Sequence, residues 1–273
     1  GANVAVGTCA LKENTASSNT AVGFTALVSQ TTGNTSTAVG RNALGANTTG
    51  AESTAVGAYA LETNTTGASN IAIGTSSLRL NTTASYNTAI GPYTLRNTTT
   101  GCYNTASGYS ALHYNTTGCN NTSMGFQALS ANTTGSHIVA VGYRALCCST
   151  TAHGNTAVGP NAMSRTTTGA NNVAFGYASM QCNTTGKGNV SVGPNAMDSN
   201  ISGCYNTASG YIALYQNTTG CFNTAVGHEA LKSNTTAKCN TAMGTYALSG
   251  NTTGYGNTAV GYGSGNQNNG TSF

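Results

Sequence analysis

One short motif recurs sixteen times along this chain, and that repetition limits its fold more than any other feature. Asn-Thr-Ala-Val-Gly, or a close variant, places a glycine at Gly7, at Gly23, and then at every seventeenth residue to Gly261. Counting each repeat from its asparagine gives seventeen columns with the consensus N-T-A-V-G-Y-x-A-L-x-x-N-T-T-G-x-x. A unit this short cannot bury a core alone, so neighbouring repeats must stack. The expected fold is all-β or mainly β: a parallel β-solenoid of sixteen coils, each with a short strand and one helical turn. The whole chain, 1–273, reads as one solenoid domain. Residues 3–256 are regular, and 257–273 form a degenerate terminal repeat or connector.

A longer period lies over the first. GCYNTASGY occurs at Gly101–Tyr109 and again at Gly203–Tyr211, six repeats apart, as duplication of a six-repeat block would leave it. The columns separate inside from outside. Column 5 is always glycine, column 3 is Ala or Ser, and column 9 is Leu or Met except at Gly265. All fourteen charged residues fall in columns 6, 7, 10, 11, 16 and 17.

Columns 1 to 4 carry β-branched residues and predict a strand. Side chains alternate along it, so columns 2 and 4 share one face and columns 3 and 5 the other. The expected core combines the column 4 and column 9 side chains. The Ala/Ser/Gly face then marks a close backbone, either the opposite wall of a thin coil or a second chain. Columns 6 to 11 are rich in Ala and Leu, and Pro92, Pro160 and Pro194 all sit in column 6. Proline suits the first position of a helical turn. Packed helices need more room than strands ~4.8 Å apart. The turn must therefore be narrow, the solenoid curved, or chains interleaved. If each rung advances ~4.8 Å, sixteen rungs make a rod of about 75 Å. Columns 12 to 15, Asn-Thr-Thr-Gly, read as the return corner, with Gly supplying positive φ.

The strand motif resembles the Asn-Ser-Val-Ala-Ile-Gly repeats in head domains of trimeric autotransporter adhesins. The full unit is similar to NTAxG-x-x-AL-x-x-NTTG arrays of phage tail-fibre and bacterial surface proteins. Asn155–Gly159, and Ala213-Leu214 followed by Asn217–Gly220, carry the likeness here. It implies an extracellular or virion-associated fibre or adhesin shaft, self-associating as a trimer. The uncapped first repeat at Asn3 and the last repeat, which loses its Ala-Leu, suggest a head-to-tail polymer instead.

Composition sets further bounds. Nine Lys and Arg give a net charge of +4, too dispersed to track nucleic acid. No apolar run approaches the ~20 residues of a membrane span. The chain opens directly in repeat sequence, as a mature protein or a segment of a longer one does. No cofactor or metal ligand set is expected: His113, His137, His153 and His228 fall in four different columns, and the five acids are scattered. No catalytic motif appears, so no enzyme is expected.

Two side-chain sets remain as candidate sites. Cys102 and Cys119 share column 16 of adjacent repeats, as do Cys204 and Cys221. Adjacent rungs bring Cα atoms within disulfide range, so both pairs are expected to bridge, against stacked free thiols as the alternative. Cys239 competes for Cys221. Asn47, Asn64, Asn81, Asn115, Asn132, Asn183, Asn200, Asn217, Asn234 and Asn251 in column 12 each begin an N-x-S/T sequon. They read either as a file of N-glycans or as an asparagine ladder bonded rung to rung, and the ladder is the preferred reading. Asn34, Asn97, Asn120, Asn121 and Asn269 add sequons elsewhere. The functional expectation is an extracellular fibre or shaft. The alternatives are a glycan-binding adhesin head and, using the threonine files of columns 2, 13 and 14, an ice-binding solenoid.

Overall fold

A computed structural model describes residues 2–266. The tail 267–273, with Asn269 and the last part of the degenerate repeat, lies outside the described residues. The fold is an all-β parallel β-solenoid. Its contacts group into two units, 1–137 and 138–273. The first carries strands β1 (Val4–Val6) to β8 (Thr122–Met124), and the second β9 (Val139–Val141) to β16 (Thr258–Val260). Every strand is three residues long, in columns 2 to 4. Within each unit it pairs in parallel with its sequence neighbours, like column against like column.

The bonding between rungs does not stop at the strands. In the coil starting at Ser53, Thr54 N–H donates to Asn70 O (2.8 Å) and Gly57 N–H to Val39 O (2.8 Å). Leu61, Thr63 and Thr65 then donate to Ser77, Arg79 and Thr82 at 3.0, 3.1 and 2.9 Å. Each coil is thus tied to its neighbours around its whole perimeter.

Among the described residues no helical turn forms in columns 6 to 11. Ala60 N–H bonds to Gly57 O and Asn64 N–H to Leu61 O, at 3.3 and 3.1 Å, closing short turns. Residues in columns 7 and 9 take left-handed φ, 62° at Tyr59 and 52° at Leu61. An α-turn would point its N–H groups along its own axis. The observed path leaves alternate N–H groups free to bond to the adjoining coils, which removes the conflict between strand and helix spacing. The prolines of column 6 occupy the second position of the first turn, where a fixed φ is favoured. A left-handed residue other than glycine costs about 1–2 kcal/mol. At Leu61 burial of the side chain, about 1.5–3 kcal/mol, and the bond to Ser77 O offset it.

The core differs from expectation in one column. Column 9 is buried, but column 4 is not: Ile73 is 40% and Ile90 43% exposed. The inward side chains are column 3, column 8 and column 9, as in Ala72, Ala60 and Leu78. The cause is the thinness of the coil. Where column 3 is serine, its hydroxyl reaches straight across to the column 8 carbonyl, Ser123 to Ala128 at 2.8 Å and Ser191 to Ala196 at 2.9 Å. Nothing larger than Ala or Ser fits between the walls. The backbone behind the Ala/Gly stripe is therefore the opposite wall of the same coil. Column 5 is glycine because its φ lies between 115° and 139° and the next coil presses on it. A Cβ on Gly57 would sit 2.6 Å from Gly74 O.

The return corner also differs in detail. The column 15 glycines do not supply its positive φ; column 17 does, as at Ser69 (56°) and Tyr86 (61°). Column 15 is small because a Cβ on Gly101 would lie 2.9 Å from Asn115 Nδ2 and closer still to Gly118 O.

Two alanine substitutions separate these assignments in chemical denaturation at low protein concentration. Leu78→Ala is expected to cost about 2–5 kcal/mol, and Ile73→Ala less than about 1 kcal/mol. Equal losses would restore column 4 to the core.

Candidate functional site

The asparagines form two buried ladders that meet at one carbonyl. In column 12, Asn217 is fully buried, and its Nδ2 donates to Gly220 O (3.0 Å) and to Asn200 Oδ1 (2.8 Å). Asn234 repeats the pattern on Ala237 O and Asn217 Oδ1. The same inward placement holds for Asn47, Asn64, Asn81, Asn115, Asn132, Asn183, Asn200 and Asn251, all at 0% exposure. From column 1, Asn206 Nδ2 also donates to Gly220 O (2.7 Å), while its Oδ1 accepts the Asn223 N–H (2.9 Å). Where columns 1 and 12 are both asparagine, the coil is thus closed by two amides converging on the column 15 carbonyl, as at Ala84, Gly118, Gly203 and Ala237 too. Both Asn217 amide hydrogens are engaged and no solvent reaches them, so a glycan at that nitrogen is incompatible with the folded coil. Asn121 is also buried, whereas Asn34 and Asn120 are exposed and Asn97 is half-buried.

Asn217→Ala removes a donor from Gly220 O and the acceptor of Asn234. It is expected to destabilise the protein by about 1–3 kcal/mol, whereas Thr219→Ala, an exposed corner residue, should stay within about 0.5 kcal/mol. Thermal melts of the two variants check this.

All nine cysteines stand as thiols. Where column 16 is Ser or Cys, its side chain accepts the N–H of the preceding coil, as Ser85 Oγ does from Ala68 and Ser136 Oγ from Cys119. Cys119 Sγ accepts from Cys102 N–H and Cys221 Sγ from Cys204 N–H, both at 3.1 Å. Cys102 and Cys204 accept in turn from Ser85 and Lys187 at 3.3 and 3.4 Å. Cys239 is exposed, one column along. Closing Cys102–Cys119 and Cys204–Cys221 would staple loops of about 17 residues, worth roughly 3 kcal/mol each. After air oxidation, a thiol count in denaturant is expected to find five free thiols, the nine less these four. More than five excludes the two bridges.

The remaining polar groups are dispersed. His113 Nδ1 lies 2.9 Å from Tyr93 O, and burial pushes its pKa down. Burial pushes the Asp198 carboxyl up, with Arg165 opposing. Buried Cys147 lies beside Cys148, Sγ to Sγ 3.8 Å, and burial raises its pKa. No group of three or more His, Cys, Asp or Glu stands together among the described residues. No helix among them is long and apolar enough to cross a membrane. The threonine files split by column. Column 13 hydroxyls bond to the next coil, as Thr65 Oγ1 does to Thr82 O (3.0 Å), whereas column 14 hydroxyls face outward.

Two surfaces escaped the sequence reading. One is a shallow groove of about 580 Å³ lined by Phe24, Thr25, Val28, Asn42, Gly45 and Glu62. It opens where Gly45 leaves a gap in column 10 between Val28 and Glu62. Its polar side chains form a chain: Thr25 bonds to Asn42, Asn42 Nδ2 to Glu62 (3.3 Å), and Arg79 Nε to Glu62 (2.6 Å). Tyr59 lies nearby between Arg41 and Arg79, at 5.5 and 5.2 Å from its ring centre. The other is the outer sheet face, where columns 2 and 4 are half-exposed or exposed. Stacked rings flank it in column 6, Tyr109 on Phe126 at 5.5 Å and Tyr211 on His228 at 5.5 Å. The charge-free columns 1 to 5 were a signal for it, misread as the sign of a core.

No protein-family model matches the chain, and no curated protein matches it either.

Proposed function

We propose that this chain is a structural element, the repeat-built part of an extracellular or virion-associated fibre or shaft that assembles by self-association. The observation that carries the proposal is the repeated rung-to-rung bonding within each unit. The same backbone bonds and asparagine amides recur coil after coil, so the repeat serves stacking itself. The likeness to repeats of trimeric adhesin heads and tail fibres supports the same role. The in-register cysteine pairs suit an oxidising, extracellular setting. Three-fold association and head-to-tail polymerisation are the two assemblies this reading allows.

A second reading, a glycan-binding head, is favoured by the Phe24 groove. There an exposed ring lies beside polar Asn42 and Glu62, a combination that suits a sugar face and its hydroxyls. Negative-stain electron microscopy of the purified chain separates the two. Fibres or particles of uniform width built from several chains are expected. Single dispersed chains that bind on a glycan array would replace the structural reading with the second one.

A further inference from the structure

We propose that the outer sheet face of each unit, columns 2 and 4, is the surface on which a second copy of this chain docks. The inference rests on the structural reading above and names the surface through which its self-association runs.

Column 4 of this face is mainly apolar and exposed in both units, beside a column 2 file of mostly threonine. In the first, Ile73, Ile90 and Met124 are 40%, 43% and 47% exposed; in the second, Phe175, Val192 and Met243 are 42%, 40% and 46% exposed. Columns 1 to 5 carry no charged residue in any repeat. The strand backbone is committed to its own ladder, so the face offers a partner side chains rather than an edge. A charge-free face with aromatic flanks has the composition of an interface core.

Area and period choose the occupant. Eight strands ~4.8 Å apart, presenting a strip roughly 10–13 Å wide, give each unit about 400–500 Å² of flat footprint. Four such footprints, one from each unit of two chains, sum to roughly 1,600–2,000 Å², the size of a stable protein interface. The face is also corrugated at the rung spacing. Met124 stands beside Ser107 and Met243 lies two coils from Ser209, so projections and notches recur on the same lattice. A surface with the same rung spacing meets every notch in turn, and a second copy has that spacing by construction. An unrelated surface drifts out of step within a few rungs.

Sedimentation velocity across a concentration series tests this with the intact chain. The face variant combines Ile73→Lys, Ile90→Lys, Val192→Lys and Val226→Lys. The control combines Leu80→Lys and Ile201→Lys, which replace exposed apolar residues off the face (37% and 47%). A gentler variant, Ile73→Ser with Ile90→Ser, uses a residue that column 4 already carries at Ser107 and Ser209. Circular dichroism confirms that each is folded. The wild type and the control are expected to associate alike. The lysine variant should associate about 100-fold more weakly or worse, and the serine variant should fall between. Association unchanged by the lysines overturns the face and leaves the structural reading intact. A wild type that is folded but monomeric at every concentration overturns both.

Discussion

Register between neighbouring coils is the constraint on which everything else in this fold depends. Each coil must set the same atoms above the same atoms of the next, all the way round its perimeter. Strands meet that demand readily over three residues. The rest of the coil meets it through a path that bends by left-handed residues, because any helical segment would turn its N–H groups away from the adjoining coils. The strain at Leu61 and its equivalents follows from that demand, as does the glycine of column 5, against which the next carbonyl presses.

The same register explains why polar side chains are buried. A thin coil has no room for a large apolar core, and Ala and Leu fill what space there is. Carbonyls at the corner would be left without partners. Asparagine amides satisfy them, two where columns 1 and 12 are both asparagine, as Asn206 and Asn217 do for Gly220, and one elsewhere, as Asn87 does for Gly101. Where column 12 asparagines follow one another, each amide also bonds the next, as Asn234 does Asn217 and Asn217 does Asn200, so buried hydrogen bonds run along the interior beside the apolar contacts. Column 12 asparagines are thus engaged inside the coil, as Asn217 is through both of its amide hydrogens.

Much of this was legible in the repeat itself. The coil length, a strand within columns 1 to 4, the buried Leu of column 9 and the stacking of like residues all follow from counting. Two features were not legible, for physical reasons. Val and Ile in column 4 carry the pattern of a core strand, and Ala in column 3 looks like a contact stripe. Only the wall separation, seen where Ser191 reaches Ala196 O, decides which side is inside. A leucine at φ near 50° has no local signal, because stacking forces that conformation against the residue's own preference. The Phe24 groove depends on one glycine, Gly45, in a variable column, and no consensus exposes it. Moving the apolar face outward also moves the expected contact between chains, from the Ala/Gly stripe to columns 2 and 4.

Hydrogen–deuterium exchange resolved to single amides tests the central claim, that coils are bonded to each other around their full perimeter. The Leu61, Thr63 and Thr65 amides, outside any strand, are predicted to be protected as strongly as Thr54 and Gly57. Protection confined to the three-residue strands, with the turn amides exchanging as in an open chain, would contradict it.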